Sequence, residues 1–112
     1  MRKLVIDAQT LTSGGTYTSA AIDVRNGGVF GIDWVVLATQ LTLTYQMCGT
    51  KDGTYFTPDG GGAISTCTGR TAYQGASFAP EYFPYMKVIV LNNGADTATI
   101  SAFLDVQERR TV

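Results

Sequence analysis

The sequence predicts an all-β domain, an antiparallel β-sandwich of jelly-roll type with roughly seven or eight strands. Three observations predict it. Apolar residues recur at every second position in several stretches, as on a pleated strand with one face buried. Gly, Asn and Asp clusters punctuate the chain at intervals of roughly 8–12 residues. No window of about 11 residues or more carries the period of a helix.

The chain has 112 residues, 45% apolar and 15% charged. That suits one domain over residues 1–112, with one core and a lightly charged surface. The 13 glycines and the abundance of Thr, Val, Tyr, Ile and Phe favour strands over helices.

Leu4, Val5 and Ile6 form a short apolar run, expected to serve as an N-terminal arm or edge strand within residues 1–18. Gln9 to Ser19 is rich in Thr, Ser and Gly and reads as a loop or a short irregular strand, broken at Gly14-Gly15. From Ser19 to Arg25 the residues alternate, with Ala20, Ile22 and Val24 inward and Ala21, Asp23 and Arg25 outward. Asn26-Gly27-Gly28 then signals a hairpin, because these residues tolerate positive φ. Val29 to Leu37 follows as a central strand partly covered on both sides, with Phe30, Ile32, Trp34 and Val36 on its core face. Ala38-Thr39-Gln40 turns the chain.

Leu41, Leu43, Tyr45 and Met47 alternate with Thr42, Thr44, Gln46 and Cys48, the clearest strand of the chain. Lys51-Asp52-Gly53 is a tight turn, and Thr54 to Thr57 reads as a return strand stopped by Pro58. Asp59 to Gly62 is a glycine loop, and Ala63 to Thr68 a strand ended by Gly69-Arg70. Thr71 to Pro80 reads as irregular. Tyr85 to Leu91 begins after Pro84, where a proline is tolerated, with Met86, Val88 and Val90 on one face. Asn92-Asn93-Gly94 signals another hairpin. Thr97 to Val106 is the last strand, with Ala98, Ile100, Ala102, Leu104 and Val106 inward, and residues 107–112 form a polar tail.

The chemistry available is narrow. Histidine is absent, which removes the commonest general base, and two cysteines alone cannot build a zinc site. Cys48 and Cys67 read as free buried thiols in preference to a disulfide. The aspartates have structural explanations: Asp52, Asp59 and Asp96 in turns, Asp23, Asp33 and Asp105 on polar strand faces. Gly60-Gly61-Gly62 lacks the Lys-Ser/Thr of a phosphate-binding loop. No enzyme activity, metal or cofactor is expected.

A formal net charge of −1 gives no electrostatic case for nucleic acid. No apolar run approaches the ~20 residues of a membrane helix, so no membrane partner is expected. The basic start Met1-Arg2-Lys3 has no long apolar stretch behind it and does not read as a secretory signal, which implies synthesis in a cytoplasm. The aromatic residues Tyr73, Phe78, Tyr82 and Phe83, with Tyr85, cluster around an irregular stretch. They read as a packed loop or a protein-contact surface. A sugar-stacking platform, drawing on Tyr55, Phe56, Tyr73 and Tyr82, is a lesser alternative.

Three segments carry a resemblance: SAAIDVRNGGVFGIDWVV, LTLTYQMCGTKDGTYFT and FPYMKVIVLNNGADTATISAFLDV. Together they resemble small β-sandwich structural proteins of tailed bacteriophages. Lys51-Asp52-Gly53-Thr54-Tyr55-Phe56 matches the polar Asp-Gly hairpin after a Leu-alternating strand. Tyr85-Met86-Lys87-Val88 matches a late strand, and Asn93-Gly94-Ala95-Asp96-Thr97-Ala98 the turn into a Thr/Ala-alternating strand. Gly49-Thr50 departs from the Ser or Asn common in that family. The resemblance spans Ser19 to Val106 and implies a virion accessory protein without catalytic residues. The leading expectation is a capsid decoration (cement) protein on the outer head surface, trimeric and bound to the major capsid protein. A tail or neck structural protein and a glycan- or receptor-binding tail module are the alternatives. Leu4, Val5, Ile6, Tyr73, Phe78, Tyr82 and Phe83 are the partner-contact candidates.

Overall fold

The computed structural model describes residues 1–37, 40–59, 61–67, 70–80 and 83–108, with the side chains of residues 37, 67 and 70–74 outside that description. Among these residues there are nine strands: β1 (Arg2–Leu11), β2 (Thr16–Thr18), β3 (Ile22–Asp23), β4 (Gly27–Leu37), β5 (Leu41–Cys48), β6 (Ala63–Cys67), β7 (Arg70–Phe78), β8 (Tyr85–Asn92) and β9 (Ala98–Glu108). One sheet has the order β1-β9-β4-β7, and the other β2-β8-β5-β6 with β3 also on β8. Every pairing is antiparallel.

The pairing is nested. β1 joins β9, β2 and β3 join β8, β4 joins β7, and β5 joins β6. The chain is thus one long antiparallel ribbon, closed by the β5–β6 hairpin and wound so that it alternates between the two sheets. This is the jelly roll the sequence predicts. β2 and β3 behave as one edge strand broken at Ser19. The Ser19 N–H donates to Val88 O at 2.8 Å, and its buried hydroxyl accepts from Val88 N–H at 2.9 Å.

Period-two burial fills the space between the sheets. Leu41, Leu43 and Met47 of β5 and Met86, Val88 and Val90 of β8 are fully buried from one side. Ile32, Trp34 and Val36 of β4 and Ile100, Ala102 and Leu104 of β9 meet them from the other. Each large side chain removed from water contributes about 1.5–3 kcal/mol, which gives the alternation its power to set register. Trp34 lies beside Ala102 on β9, so a small neighbour leaves room for the indole.

Several expectations are corrected. Asn26-Gly27-Gly28 and Asn92-Asn93-Gly94 are turns but not hairpins. Asn26 takes a φ of 65°, yet β3 lies in one sheet and β4 in the other, and β8 and β9 are likewise divided. Left-handed backbone reverses the chain without deciding which sheet receives it. Thr71 to Phe78 is not irregular but belongs to β7, an edge strand whose Gly75, Ala76 and Ser77 disguise it. Of the two readings of Gln9 to Ser19, the short irregular strand holds, since Gln9 to Leu11 ends β1 and Thr16 to Thr18 is β2. The return strand at Thr54 to Thr57 reduces to one bridge between Met47 and Phe56. Ala20 is exposed rather than inward, and only Ile22–Asp23 is strand there. β4 is central, as expected, and its outer face is partly covered at Gly31, Asp33 and Val35 but open at Val29, which is 58% exposed.

The N-terminal segment is not a free arm. β1 pairs with β9 from Arg2↔Asp105 to Leu11↔Ala98 and forms an edge of its own sheet. The Cys48 thiol is free and buried. Cys67 pairs with Leu41 at the opposite end of β5, about 23 Å away at ~3.3 Å per residue, far beyond disulfide reach.

Candidate contact surface

Three connections converge at one end of the sandwich: the turn from Val24 to Gly27 and the described parts of residues 49–62 and 79–84. The strand row Asp23–Tyr85–Cys48 marks the boundary of that end. Met1 lies there too, its ammonium donating to Val106 O at 2.6 Å.

The first connection is fastened by its own charges. The Arg25 guanidinium donates to both oxygens of Asp23 and lies 5.6 Å above the Tyr85 ring. Hydrogen bonding from Arg25 holds the Asp23 carboxyl below the ordinary carboxylate value. Gly27 is required by packing: a Cβ there would sit 2.6 Å from the Phe30 ring and 2.9 Å from Val106.

The second connection folds back on the sheet. Phe56 exchanges two main-chain hydrogen bonds with Met47, both 3.0 Å. The Tyr55 hydroxyl donates to Lys51 O at 2.9 Å, and Lys87 Nζ lies 4.4 Å above the Tyr55 ring. Burial pushes the Tyr55 hydroxyl pKa up. Phe56, 37% exposed, meets Phe83 of the third connection edge to face at 4.8 Å. Such a pair prefers this geometry because ring edges are positive and faces negative.

Between the first and third connections lies a cleft of about 420 Å³. Val24, Gly27, Phe30, Ala79, Pro80, Phe83 and Pro84 line it, with Arg25 and Asn26 as polar lining. Its size and apolar walls suit part of a peptide or a small ligand.

The candidate contact residues are scattered by the fold. Phe83 is in this surface. Phe78 is half-buried and turned to the core, 5.8 Å from Phe30 and 5.4 Å from Tyr45. Leu4 is 41% exposed but lies away from this end, on β1 opposite Phe103. Val5 and Ile6 are core residues, so their side chains are not available to a partner. The Tyr73 side chain and Tyr82 fall outside the described residues. Arg25, Pro80 and Pro84 were not among the candidates. The signal for Arg25 was local: an Asp two residues before an Arg, at the entry to an Asn-Gly turn.

A sugar platform needs exposed, coplanar rings. Lys87 Nζ covers one face of Tyr55, Phe56 meets Phe83 at 78°, and the Tyr73 side chain and Tyr82 lie outside the described residues. Among the described residues, no group of three His, Cys, Asp or Glu side chains could hold a metal ion. Neither a protein-family model nor a curated protein matches the sequence.

Proposed function

We propose that this protein is a structural component of a tailed-phage virion, a head decoration protein that binds the major capsid protein through the loop-bearing end of its sandwich. The observation that carries the proposal is that end itself. It gathers a half-exposed Phe56–Phe83 pair and a proline-walled cleft on a rigid two-sheet frame. Aromatic anchors beside a pocket are what protein contacts concentrate their energy in. The jelly-roll winding is also a common frame for capsid proteins, which supports the reading by analogy of fold. The carboxylates Asp23, Asp33 and Asp105 are each engaged by an arginine, an arrangement suited to holding strands and turns together.

The test is occupancy on particles. Purified virions whose genome encodes this chain should contain it in fixed ratio to the major capsid protein, and Phe56→Ser should lower that occupancy without loss of fold. Absence from purified particles overturns the proposal. A second reading, a glycan-binding tail module, is favoured by the cleft volume of about 420 Å³, which falls among small-ligand sites. Peptide mapping of separated heads and tails distinguishes the two.

A further inference from the structure

The four sheet edges are not equally protected. β1 is deformed by two register shifts against β9, and Ala8 takes a φ of 46°. The β2–β3 edge consists of three-residue and two-residue pieces. β6 is five residues long and carries a register shift against β5. Bulges, brevity and interruption are the devices that keep an edge from pairing with another chain.

β7 carries one register shift against β4, between Gln74 and Arg70, and pairs regularly over the rest of its length. It has nine residues, and its register with β4 is unbroken from Phe30↔Phe78 to Trp34↔Gln74. Thr71 to Phe78 contains no charged residue and no proline. Where side chains are described, the outer face of the edge carries only Gly75, opposite Asp33, and Ser77, opposite Gly31. Among the described residues, no main-chain hydrogen bond runs from β7 to a segment other than β4.

We infer that the free edge of β7 is a main-chain pairing site for β7 of a second copy of this chain, antiparallel about a two-fold axis. The strand is compatible with its own copy. An antiparallel pair centred on Ala76 uses only the regular stretch, sets Gln74 against Phe78 and Gly75 against Ser77, and brings no charges together. A two-fold contact satisfies both free edges at once and closes the assembly. A strand-edge contact is smaller than the ~800 Å² per partner of a stable dimer, so the association is weak and concentration-dependent. The inference stands independently of the proposed capsid role.

Sedimentation velocity of the full chain, combined with hydrogen exchange, tests it. Rising concentration should convert monomer to dimer and slow exchange within residues 74–78, with no change in β1, β2 or β6. Adjacent residues direct their N–H groups to opposite sides of a strand, so of Ala76→Pro and Ser77→Pro only one removes an N–H from the free edge. The variant that keeps the native melting temperature is the edge variant, and it should dimerise at least roughly tenfold more weakly. A monomer at every concentration, a trimer, or a dimer unaffected by the edge variant overturns the inference.

Discussion

The side-chain amide of Asn92 donates to Leu11 O at 2.9 Å, so the end of β8 in one sheet holds the end of β1 in the other. The same amide donates to Asp96 O at 2.8 Å, and its oxygen accepts from Gly94 N–H at 3.0 Å. Asn92 is fully buried. It therefore closes the turn into β9 and anchors it across the interior. Removing the amide leaves carbonyls without their partner where water does not readily replace it. Asn92→Ala should cost about 2–4 kcal/mol, read from urea unfolding with an unchanged slope. A loss no larger than that of a surface alanine substitution would show that the network is not needed.

Trp34 is 3% exposed, and its Nε1–H has no hydrogen-bond partner among the described residues. The residue thus contributes packing while leaving a polar group unmatched. Trp34→Ala should cost about 3–5 kcal/mol through the cavity it leaves. Trp34→Phe should cost clearly less, because it removes the unmatched donor together with part of the volume. Thermal melts of the two variants test this, and equal losses would refute it.

The strands whose two faces differ most were the ones legible in the sequence. Leu41 to Cys48, Tyr85 to Leu91 and Ala98 to Val106 alternate cleanly because one face meets the core and the other meets solvent. β7 was hidden because an edge strand with Gly75, Ala76 and Ser77 has the composition of a loop. The turns at Asn26 and Asn92 were visible as turns, but their destination depends on which sheet edge is vacant, a non-local matter. Of the contact surface, Phe83 was anticipated on composition. Its pairing with Phe56 joins residues 27 positions apart in sequence, which no local pattern encodes.

Arg2 reaches across β9 to place Nη1 2.7 Å from Oδ1 of Asp33 and also contacts Asp105 at 2.8 Å. Its guanidinium lies 4.2 Å above the Phe103 ring. The hydrogen bond from Arg2 holds the Asp33 carboxyl below its ordinary value of 3.8. A carboxyl with a lowered folded pKa stabilises at neutral pH, and that contribution is lost as pH falls through the lowered value. Asp33→Asn should therefore melt below the parent protein at pH 7, with the gap closing as the pH drops below 3.8. A gap independent of pH would mean the pair contributes nothing through its charge.

Removing residues 1–8 should unfold or severely weaken the domain, not merely trim an arm. Ile6 is fully buried opposite Ala102, and Val5 is 9% exposed. Loss of one such aliphatic side chain costs about 2–5 kcal/mol, before the edge of β9 is uncovered. Far-UV dichroism and a thermal melt of the truncated chain decide this. A truncated protein with native stability would show that β1 is dispensable.

The nested winding of the ribbon is tested most directly by cross-strand proton contacts in a solution NMR spectrum. The jelly roll predicts backbone contacts of Ile22 with Met86 and Asp23 with Tyr85, together with Phe30 to both Phe78 and Val106. Contacts between residues 22–25 and residues 28–31 in a local antiparallel ladder would instead describe a meander of hairpins and contradict the fold.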